Sequence, residues 1–366
     1  MSLLKLSTLL AVLALTPFAY SQGSVLASSS FDANVQGWSL VDLTYPAVLS
    51  PPPILGTMTA AWSASGGNPG GRISFDDVTG NVFYFSAPAA YLGDQSAAYG
   101  GTFSYDIAVT GSGFGTPPGF HQEDIVLVGA GLTLIYDTGF NPPTGATVNW
   151  HSFSVELNEA GWRRNSLLGP AASQADMLAV LGSLGALYIR GEYLFGTDDI
   201  GYLDSVVLKR TGDVFCAGDG ALAACPCNNN SAPGAGRGCL NSTGVGAQLT
   251  GVGVAHVSND SLLLQSSSML PTATCIFLQG AAAIAPTAFG DGLRCAGGQL
   301  IRLGVKASSG GGASYPQVGD LPVSIRGSIP AGGATRVYQA YYRDPASFCT
   351  ALTYNITDAL LVNWGS

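Results

Sequence analysis

The chain has 366 residues, a formal net charge of −9 and a charged fraction of only 10%. This length suggests two domains, and an acidic chain with few Lys and Arg residues excludes a basic surface for nucleic acid or anionic membranes. The 50 glycines and the scarcity of Lys and Glu disfavour extensive helix and favour short strands joined by Gly-rich turns.

The N-terminus has the pattern of a secretory signal peptide. Lys5 precedes an apolar run from Leu6 to Phe18, and Ala19-Tyr20-Ser21 supplies small residues before Gln22. The run is too short for a membrane span, and no later segment is long and apolar enough to be one. We therefore expect residues 1–21 to be removed and the mature protein to be secreted or held at the cell surface.

Residues 22–210 are predicted to form the first domain, because strand-like segments alternate with turns across them. One helix is predicted from Ser173 to Leu184, with Ser173 as N-cap and an apolar stripe of Met177, Leu178, Leu181 and Leu184. Many short strands and one helix predict a jelly-roll β-sandwich with a peripheral helix. The strand-like segments are 28–31, 81–85, 101–107, 124–128, 132–136, 150–157 and 203–208.

An ordered series of motifs in this region resembles the laminin IV type A domain, over about residues 28–208. The ordered series is far more specific than any one of its motifs. The Cys-rich EGF-like repeats that flank it in laminins are absent from this sequence, so laminin assembly and basement-membrane partners are not implied. The motifs are Phe31-Asp32, Gly37-Trp38, Gly66-Gly67-Asn68-Pro69-Gly70-Gly71, Asp76-Asp77, Phe83-Tyr84-Phe85, Tyr91-Leu92-Gly93-Asp94, Tyr99-Gly100-Gly101, Asp124-Ile125-Val126-Leu127, Glu159-Ala160-Gly161-Trp162, Leu187-Tyr188-Ile189-Arg190-Gly191 and Leu203-Asp204-Ser205-Val206.

Residues 211–366 are predicted to form a second β-sandwich, because all seven cysteines lie between Cys216 and Cys349. The region is similar to an uncharacterised module at the C-termini of many bacterial secreted proteins, which implies no activity. Its motifs include Phe289-Gly290-Asp291-Gly292 and Tyr341-Tyr342-Arg343-Asp344-Pro345. Predicted strands are 261–265, 274–279, 299–305, 323–326, 336–342 and 359–364.

Export makes disulfides the favoured state of the cysteines. A zinc site at Cys225, Cys227 and Cys239 is the alternative, but C-x-C spacing is atypical of structural zinc. Seven is odd, so at least one thiol is unpaired or bonds to another chain, and one free thiol leaves 7 × 15 = 105 pairings. We expect Cys295 to pair with Cys349, the remaining bonds to form among Cys216, Cys225, Cys227 and Cys239, and mid-strand Cys275 to stay free.

No residue pattern points to catalysis. His121, His151 and His256 lack the spacing of a triad or a metal motif. The pairs Asp76-Asp77 and Asp198-Asp199 are interpreted as solvated turns or calcium ligands. We therefore predict a binding, adhesion or structural protein that is not an enzyme. The alternative is a secreted carbohydrate-active enzyme that uses two carboxyl groups as acid and base.

Two binding sites are predicted in the first domain. Asp32 follows the first strand and Asp204 lies in the last; if these strands are neighbours, the two carboxylates can hold a structural calcium ion. Alternatively Asp32 caps a turn and Asp204 faces solvent. Trp62, in a loop-like region, is the tryptophan expected to be exposed and to contact a ligand. The expected partners are an extracellular glycan or a surface or matrix protein, and no other cofactor is expected.

Overall fold

The computed structural model describes residues 25–43, 52–78, 81–111, 114–115, 123–143, 145–195, 199–346 and 348–366. The predicted signal peptide lies outside these residues. In the described residues, no helix is long and apolar enough to cross a membrane.

Residues 25–209 form two antiparallel sheets, which we call the N-terminal sandwich. Sheet A has the strand order β11-β7-β15-β5-β4, with β1 also paired to β15, and sheet B has the order β12-β10-β9-β13-β6-β2-β3; β8 pairs with β14. The strands are β1 (Val25–Ser29), β2 (Ser39–Leu43), β3 (Ile54–Met58), β4 (Ala61–Gly67), β5 (Gly70–Asp76), β6 (Val82–Ser86), β7 (Thr102–Gly111), β8 (Phe114–Gly115), β9 (Ile125–Gly129), β10 (Leu132–Tyr136), β11 (His151–Glu156), β12 (Arg163–Arg164), β13 (Leu184–Arg190), β14 (Leu194–Phe195) and β15 (Asp199–Lys209).

The core of the N-terminal sandwich lies between the two sheets. Alternate residues of β7, such as Phe103 and Ile107, are buried there together with Leu203 of β15 and Phe85 of β6. The chain crosses from one sheet to the other between β5 and β6, and again between β6 and β7, as in jelly rolls. The all-β sandwich class predicted from strand periodicity is confirmed.

The helix of this sandwich, α1 (Gln174–Leu181), begins where the sequence predicts. The Ser173 side chain accepts from the Asp176 N–H, and Asp176 reciprocates by accepting from the Ser173 N–H, which forms a capping box. The apolar stripe differs from the prediction. Met177, Val180 and Leu181 are buried, whereas Leu178 is exposed. The helix also ends earlier than predicted, because Gly182 is its C-cap and Leu184 already belongs to β13.

Residues 213–364 form the C-terminal sandwich, whose sheet C has the order β16-β24-β22-β19-β20, with β23 paired to β22, and whose smaller sheet D has the order β17-β18-β21. Phe277, Tyr338, Tyr342 and Trp364 are buried in its core. The elements are β16 (Asp213–Phe215), β17 (Gln248–Val252), β18 (Leu263–Ser267), β19 (Thr274–Phe289), β20 (Gly292–Ala307), β21 (Ala313–Tyr315), α2 (Val323–Arg326), β22 (Ala334–Arg343), β23 (Tyr354–Ile356) and β24 (Ala359–Trp364).

The prediction of a strand at 323–326 was wrong, because these residues form α2. Pro322 is its N-cap and Gly327 its C-cap, so the two residues that bound the segment act as helix start and stop signals. Val323-Ser324-Ile325-Arg326 alternates apolar and polar residues as a strand does, but four residues are too few for this period to separate a strand from a helical turn.

Three disulfides connect the C-terminal sandwich: Cys216–Cys295, Cys225–Cys239 and Cys227–Cys349. The predicted Cys295–Cys349 bond was wrong, and of the bonds expected among Cys216, Cys225, Cys227 and Cys239 only Cys225–Cys239 forms. Cys295 lies in β20 next to Cys216, which follows β16, while Cys349 lies in the loop before β23 next to Cys227. Cys275 is confirmed as a free thiol and is buried in the core beside Phe277.

The two sandwiches contact each other through the loop after β17. The Gly253 N–H donates to the Tyr99 carbonyl (2.9 Å), and the Asn259 amide donates to the Glu159 carboxylate (2.9 Å). Val254 is part of the core cluster of the N-terminal sandwich. A side chain on Gly100 would clash, since a Cβ there would lie 2.0 Å from the Gly253 carbonyl oxygen.

Candidate binding surface

The two aspartates predicted to bind calcium lie on either side of the β4–β5 turn. Asp204 accepts from the backbone N–H of Asn68 (2.5 Å) and of Ser205 (2.6 Å). Asp32 accepts from the Gly71 N–H (3.3 Å). Asp204 is fully buried, so the alternative in which it faces solvent is wrong, whereas Asp32 is exposed. Both carboxylates therefore hold the turn by hydrogen bonds.

The glycines of this turn are explained by the same contacts. A Cβ on Gly67 would come within 2.6 Å of the Asp204 carboxylate, and one on Gly70 within 2.2 Å of the Asp32 carboxylate. Gly70 also has a φ of +91°, which L-residues rarely adopt. The Gly-rich motif is therefore needed for the two acids to approach the turn.

A third carboxylate, Asp106, lies beside this turn. Asp106 pairs directly with Asp204 across β7 and β15, and its side chain accepts from the Asn68 amide (3.3 Å). Burial raises the pKa of Asp204, and the charges of Asp106 and Asp32 raise it further. In the part of the chain that the structure describes, no three His, Cys, Asp or Glu residues converge to hold a metal ion. A calcium ion bound by two carboxylates stays a prediction.

Next to these acids, an aromatic and cationic stack lies on the outer face of sheet A. Tyr202 lies in β15, paired with Ser74 and Ala108. Its neighbour Leu203 faces the core, and side chains alternate along a strand, so the Tyr202 side chain is on the outer face. The Arg72 guanidinium lies over the Tyr202 ring, 4.3 Å from its centroid. The Trp150 ring meets the Tyr202 ring edge to face at 6.4 Å. Arg72 and Trp150 remain partly exposed.

The neighbourhood of this stack is polar. The Tyr202 hydroxyl lies 3.3 Å from the Thr110 hydroxyl, and Ser152 and Ser154 of β11 are exposed on the same face. We call Arg72, Trp150 and Tyr202 the outer-face stack. No sequence motif indicates this stack, although the alternation of residues 150–157 places Trp150 on the face opposite the core.

Trp62 is exposed, as predicted, with 42% of its surface accessible. It lies in β4 rather than in a loop, and its indole N–H donates to the Phe31 carbonyl (2.7 Å). Trp62 pairs with Ile73, whose side chain faces the core, whereas the adjacent Arg72 faces outward. Trp62 therefore belongs to the edge of the sandwich and not to the outer-face stack.

The predicted acidic pairs do not form an open catalytic cleft. Asp77 and Asp199 are buried instead of solvated, and the Asp77 N–H donates to the Asp199 carbonyl (2.9 Å). Burial raises the pKa of Asp199 to about 6. Glu192, which no sequence motif indicates, is also buried. Burial, followed by the charges of Asp77 and Asp199, raises the pKa of Glu192 to about 9. Asp198 lies outside the described residues.

The histidines are dispersed. His151 packs against the Phe140 ring at 4.9 Å, while the Nδ1 atom of His256 lies 2.8 Å from the Ser258 hydroxyl within one turn. His121 is outside the described residues. In the described part of the chain, neither His151 nor His256 is hydrogen-bonded to a carboxylate, so neither belongs to a Ser-His-Asp arrangement.

Comparison with known proteins identifies the class of the N-terminal sandwich. Residues 84–218 match the family model of laminin B (domain IV), and the resemblance predicted for this region is confirmed. Laminin subunit gamma-2 of Homo sapiens is 33% identical over 147 residues, which are 39% of this chain. The basement membrane proteoglycan of Caenorhabditis elegans is 28% identical over 33% of the chain. A solved structure, the L4b domain of human laminin alpha-2, covers 51% of this chain and 97% of that domain, with 16% identity and a TM-score of 0.39.

The match covers only a small part of each relative. The chain spans 11% of the length of human laminin subunit gamma-2 and 3% of the nematode proteoglycan. Neither of these relatives carries the name of an enzyme.

Proposed function

We propose that the protein is a non-catalytic adhesion or structural protein of an extracellular matrix, exported by its N-terminal signal peptide. The match of residues 84–218 to laminin B (domain IV) supports this proposal, as do relatives named as laminin subunits and basement membrane proteoglycans. Asp77, Glu192 and Asp199 are buried, so these three described carboxyl groups are not an accessible acid–base pair.

The N-terminal sandwich recognises a glycan at the outer-face stack. The observation that carries this proposal is the contact of the Tyr202 ring with both the Arg72 guanidinium and the Trp150 ring. Partly exposed aromatic rings bury the apolar faces of sugar rings, and guanidinium groups donate to hydroxyl or carboxyl oxygens. Few mobile side chains need to be ordered on binding, because the stack lies on a sheet.

The charge around the stack narrows the ligand class. Asp106 and Asp204 lie on the same face, and the whole chain carries a formal charge of −9. A polysulfated chain would be repelled by this field. The proposed ligand is therefore a neutral or weakly acidic glycan.

A glycan-binding survey of the mature protein tests this function, with a hydrolysis assay run on each glycan that binds. Trp150→Ala is expected to weaken binding about tenfold or more, which corresponds to about 1.4 kcal/mol. Trp62→Ala removes the other exposed tryptophan, and Val318→Ala removes an exposed apolar side chain of the C-terminal sandwich; both should bind like the wild type. Melting temperatures of all variants show whether each one is folded.

Three outcomes separate the alternatives. Loss of binding with Trp62→Ala alone moves the site to the sandwich edge. Binding to matrix proteins but to no glycan keeps the adhesion role and removes glycan recognition. Release of sugar from any bound glycan contradicts the non-catalytic assignment.

A further inference from the structure

The tip of the β19–β20 hairpin folds back onto β23 of sheet C. The Asp291 N–H donates to the Tyr354 carbonyl (3.0 Å), and the Asn229 amide donates to the Asp291 carbonyl (3.0 Å). Gly290 permits this approach, because a Cβ there would lie 2.2 Å from the Tyr354 carbonyl oxygen. The backbone of Asp291 is therefore held in place from both sides.

Asp344 reaches the same place from the end of β22. Its N–H donates to the carbonyl of Thr353 (2.9 Å), the residue immediately before Tyr354. The backbones of Asp291 and Asp344 thus bind the carbonyls of two consecutive residues. Two aspartates that are 53 positions apart in the sequence are neighbours in the fold.

Each of these aspartates has one carboxylate oxygen with a hydrogen-bond donor and one without. Oδ1 of Asp291 accepts from the Thr350 hydroxyl (2.5 Å), and Oδ2 of Asp344 accepts from the Ser242 N–H (2.9 Å). Both side chains are fully buried. Asp291 Oδ2 and Asp344 Oδ1 find no donor in the described residues, and none of the ion pairs found there involves either carboxylate.

The Asp344 carboxylate is close enough for its charge to act on Asp291. Burial raises the pKa of Asp291, and the charge of Asp344 raises it further. Both charges also act on Tyr342. Burial raises the pKa of Tyr342, and the charges of Asp344 and Asp291 raise it further. Two buried carboxylates without a counter-ion destabilise a fold unless a proton or a cation neutralises them.

The available donor atoms favour a hard cation over a transition metal. The unpaired atoms are carboxylate oxygens, and Cys227, whose Sγ lies 3.8 Å from Asp291 Oδ1, is already joined to Cys349 in a disulfide. Calcium prefers oxygen ligands, takes six to eight of them, and accepts backbone carbonyls and water alongside carboxylates.

We propose that Asp291 and Asp344 bind one calcium ion in the C-terminal sandwich. The ion connects the hairpin tip to the end of β22, beside the loop that the Cys227–Cys349 disulfide closes. This site is separate from the one predicted at Asp32 and Asp204, and it accounts for the motifs Gly290-Asp291-Gly292 and Arg343-Asp344-Pro345.

The test uses the mature full-length protein, stripped with a chelator and then titrated with Ca²⁺ or with Tb³⁺. Melting temperature reports stabilisation, and Tb³⁺ luminescence excited through tyrosine reports an ion near Tyr354 or Tyr342. Asp291→Asn and Asp344→Asn remove the proposed ligands. Asp219→Asn is the matched control, because both oxygens of Asp219 already accept backbone N–H bonds (3.0 and 3.2 Å) in the same disulfide-linked region. Asp204→Asn removes the other predicted site.

We expect Ca²⁺ to raise the melting temperature of the wild type by about 5 °C at saturation. Asp291→Asn and Asp344→Asn should each reduce the affinity for Ca²⁺ at least tenfold, whereas Asp219→Asn and Asp204→Asn retain this binding. Absence of any Ca²⁺ or Tb³⁺ effect on the wild type overturns the proposal, and this result does not depend on whether the variants fold. Ca²⁺ binding that Asp204→Asn abolishes completely, and that neither Asp291→Asn nor Asp344→Asn reduces, also overturns it.

Discussion

At the scale of single residues, Glu192 has the ionisation most affected by tertiary structure among the groups described above. Its carboxyl accepts from the Phe83 N–H (3.3 Å). Burial, then the charges of Asp77 and Asp199, raise its pKa from 4.5 to about 9, and Arg190 opposes this shift only in part. Its protonated form is therefore the one that the fold accommodates.

This shift predicts a pH dependence of stability. Below pH 4.5 Glu192 is protonated in both the folded and the unfolded chain, so its ionisation does not change the free energy of unfolding. Between pH 4.5 and about 9 it ionises mainly in the unfolded chain, so stability falls as pH rises. Glu192→Gln cannot ionise, and we expect it to raise the free energy of unfolding at pH 7 by up to about 3 kcal/mol.

Thermal melts of the wild type and Glu192→Gln from pH 4 to pH 9 check this prediction. The two curves should meet near pH 4 and diverge at higher pH. Asp94→Asn serves as control, because Asp94 is exposed and its pKa is lowered by hydrogen bonds to Ser96. A wild type and a Glu192→Gln variant that differ equally at all pH values would contradict the assignment.

At the scale of elements, the β4–β5 hairpin is where the predicted N-terminal calcium site is tested. Asp32 and Asp204 bind opposite sides of its turn, so an ion between them would connect the turn to β1 and β15. We expect Ca²⁺ binding at Asp32 and Asp204 to contribute to the increase in the melting temperature of the wild type. Asp204→Asn should remove this contribution, and Asp291→Asn should retain it. If calorimetry and elemental analysis of Asp291→Asn detect no calcium, the hairpin is held by its hydrogen bonds alone.

Elements also differ in how well local signals define them. The capping box at Ser173 and the turn between Val128 and Leu132 are local features, and α1 and the β9–β10 hairpin appear where the sequence indicates. The segment at 323–326 alternates apolar and polar residues like a strand, yet it forms a helical turn between Pro322 and Gly327, with Val323 in the core.

At the scale of the whole molecule, the contact between the two sandwiches affects whether the N-terminal sandwich can fold without the C-terminal one. The sequence predicts that residues 22–210 fold alone. The hydrophobic core of the N-terminal sandwich includes Val254, which lies outside this fragment. Tyr99 and Glu159 also accept hydrogen bonds from residues beyond residue 210.

We expect the 22–210 fragment to melt cooperatively as a β protein, at a lower temperature than the same sandwich within the full chain. Circular dichroism and calorimetry of both proteins check this. Asn259→Ala in the full chain removes only the hydrogen bond to Glu159 and should cost about 1 kcal/mol. A fragment with strand content but no cooperative transition would contradict the proposed domain boundary.

By itself, the sequence determined the properties that depend on composition and local period: the all-β class, most strands, the capped helix, the laminin-like series of motifs and the exposure of Trp62. Only the tertiary structure decided which distant residues meet. The pairing of Cys216 with Cys295, the burial of Asp77 beside Asp199 and Glu192, the outer-face stack and the juxtaposition of Asp291 and Asp344 all join separate strands. Strand pairing between distant segments depends on how the sheets are ordered and on core packing, and neither leaves a periodic signal in the sequence around any one of these residues.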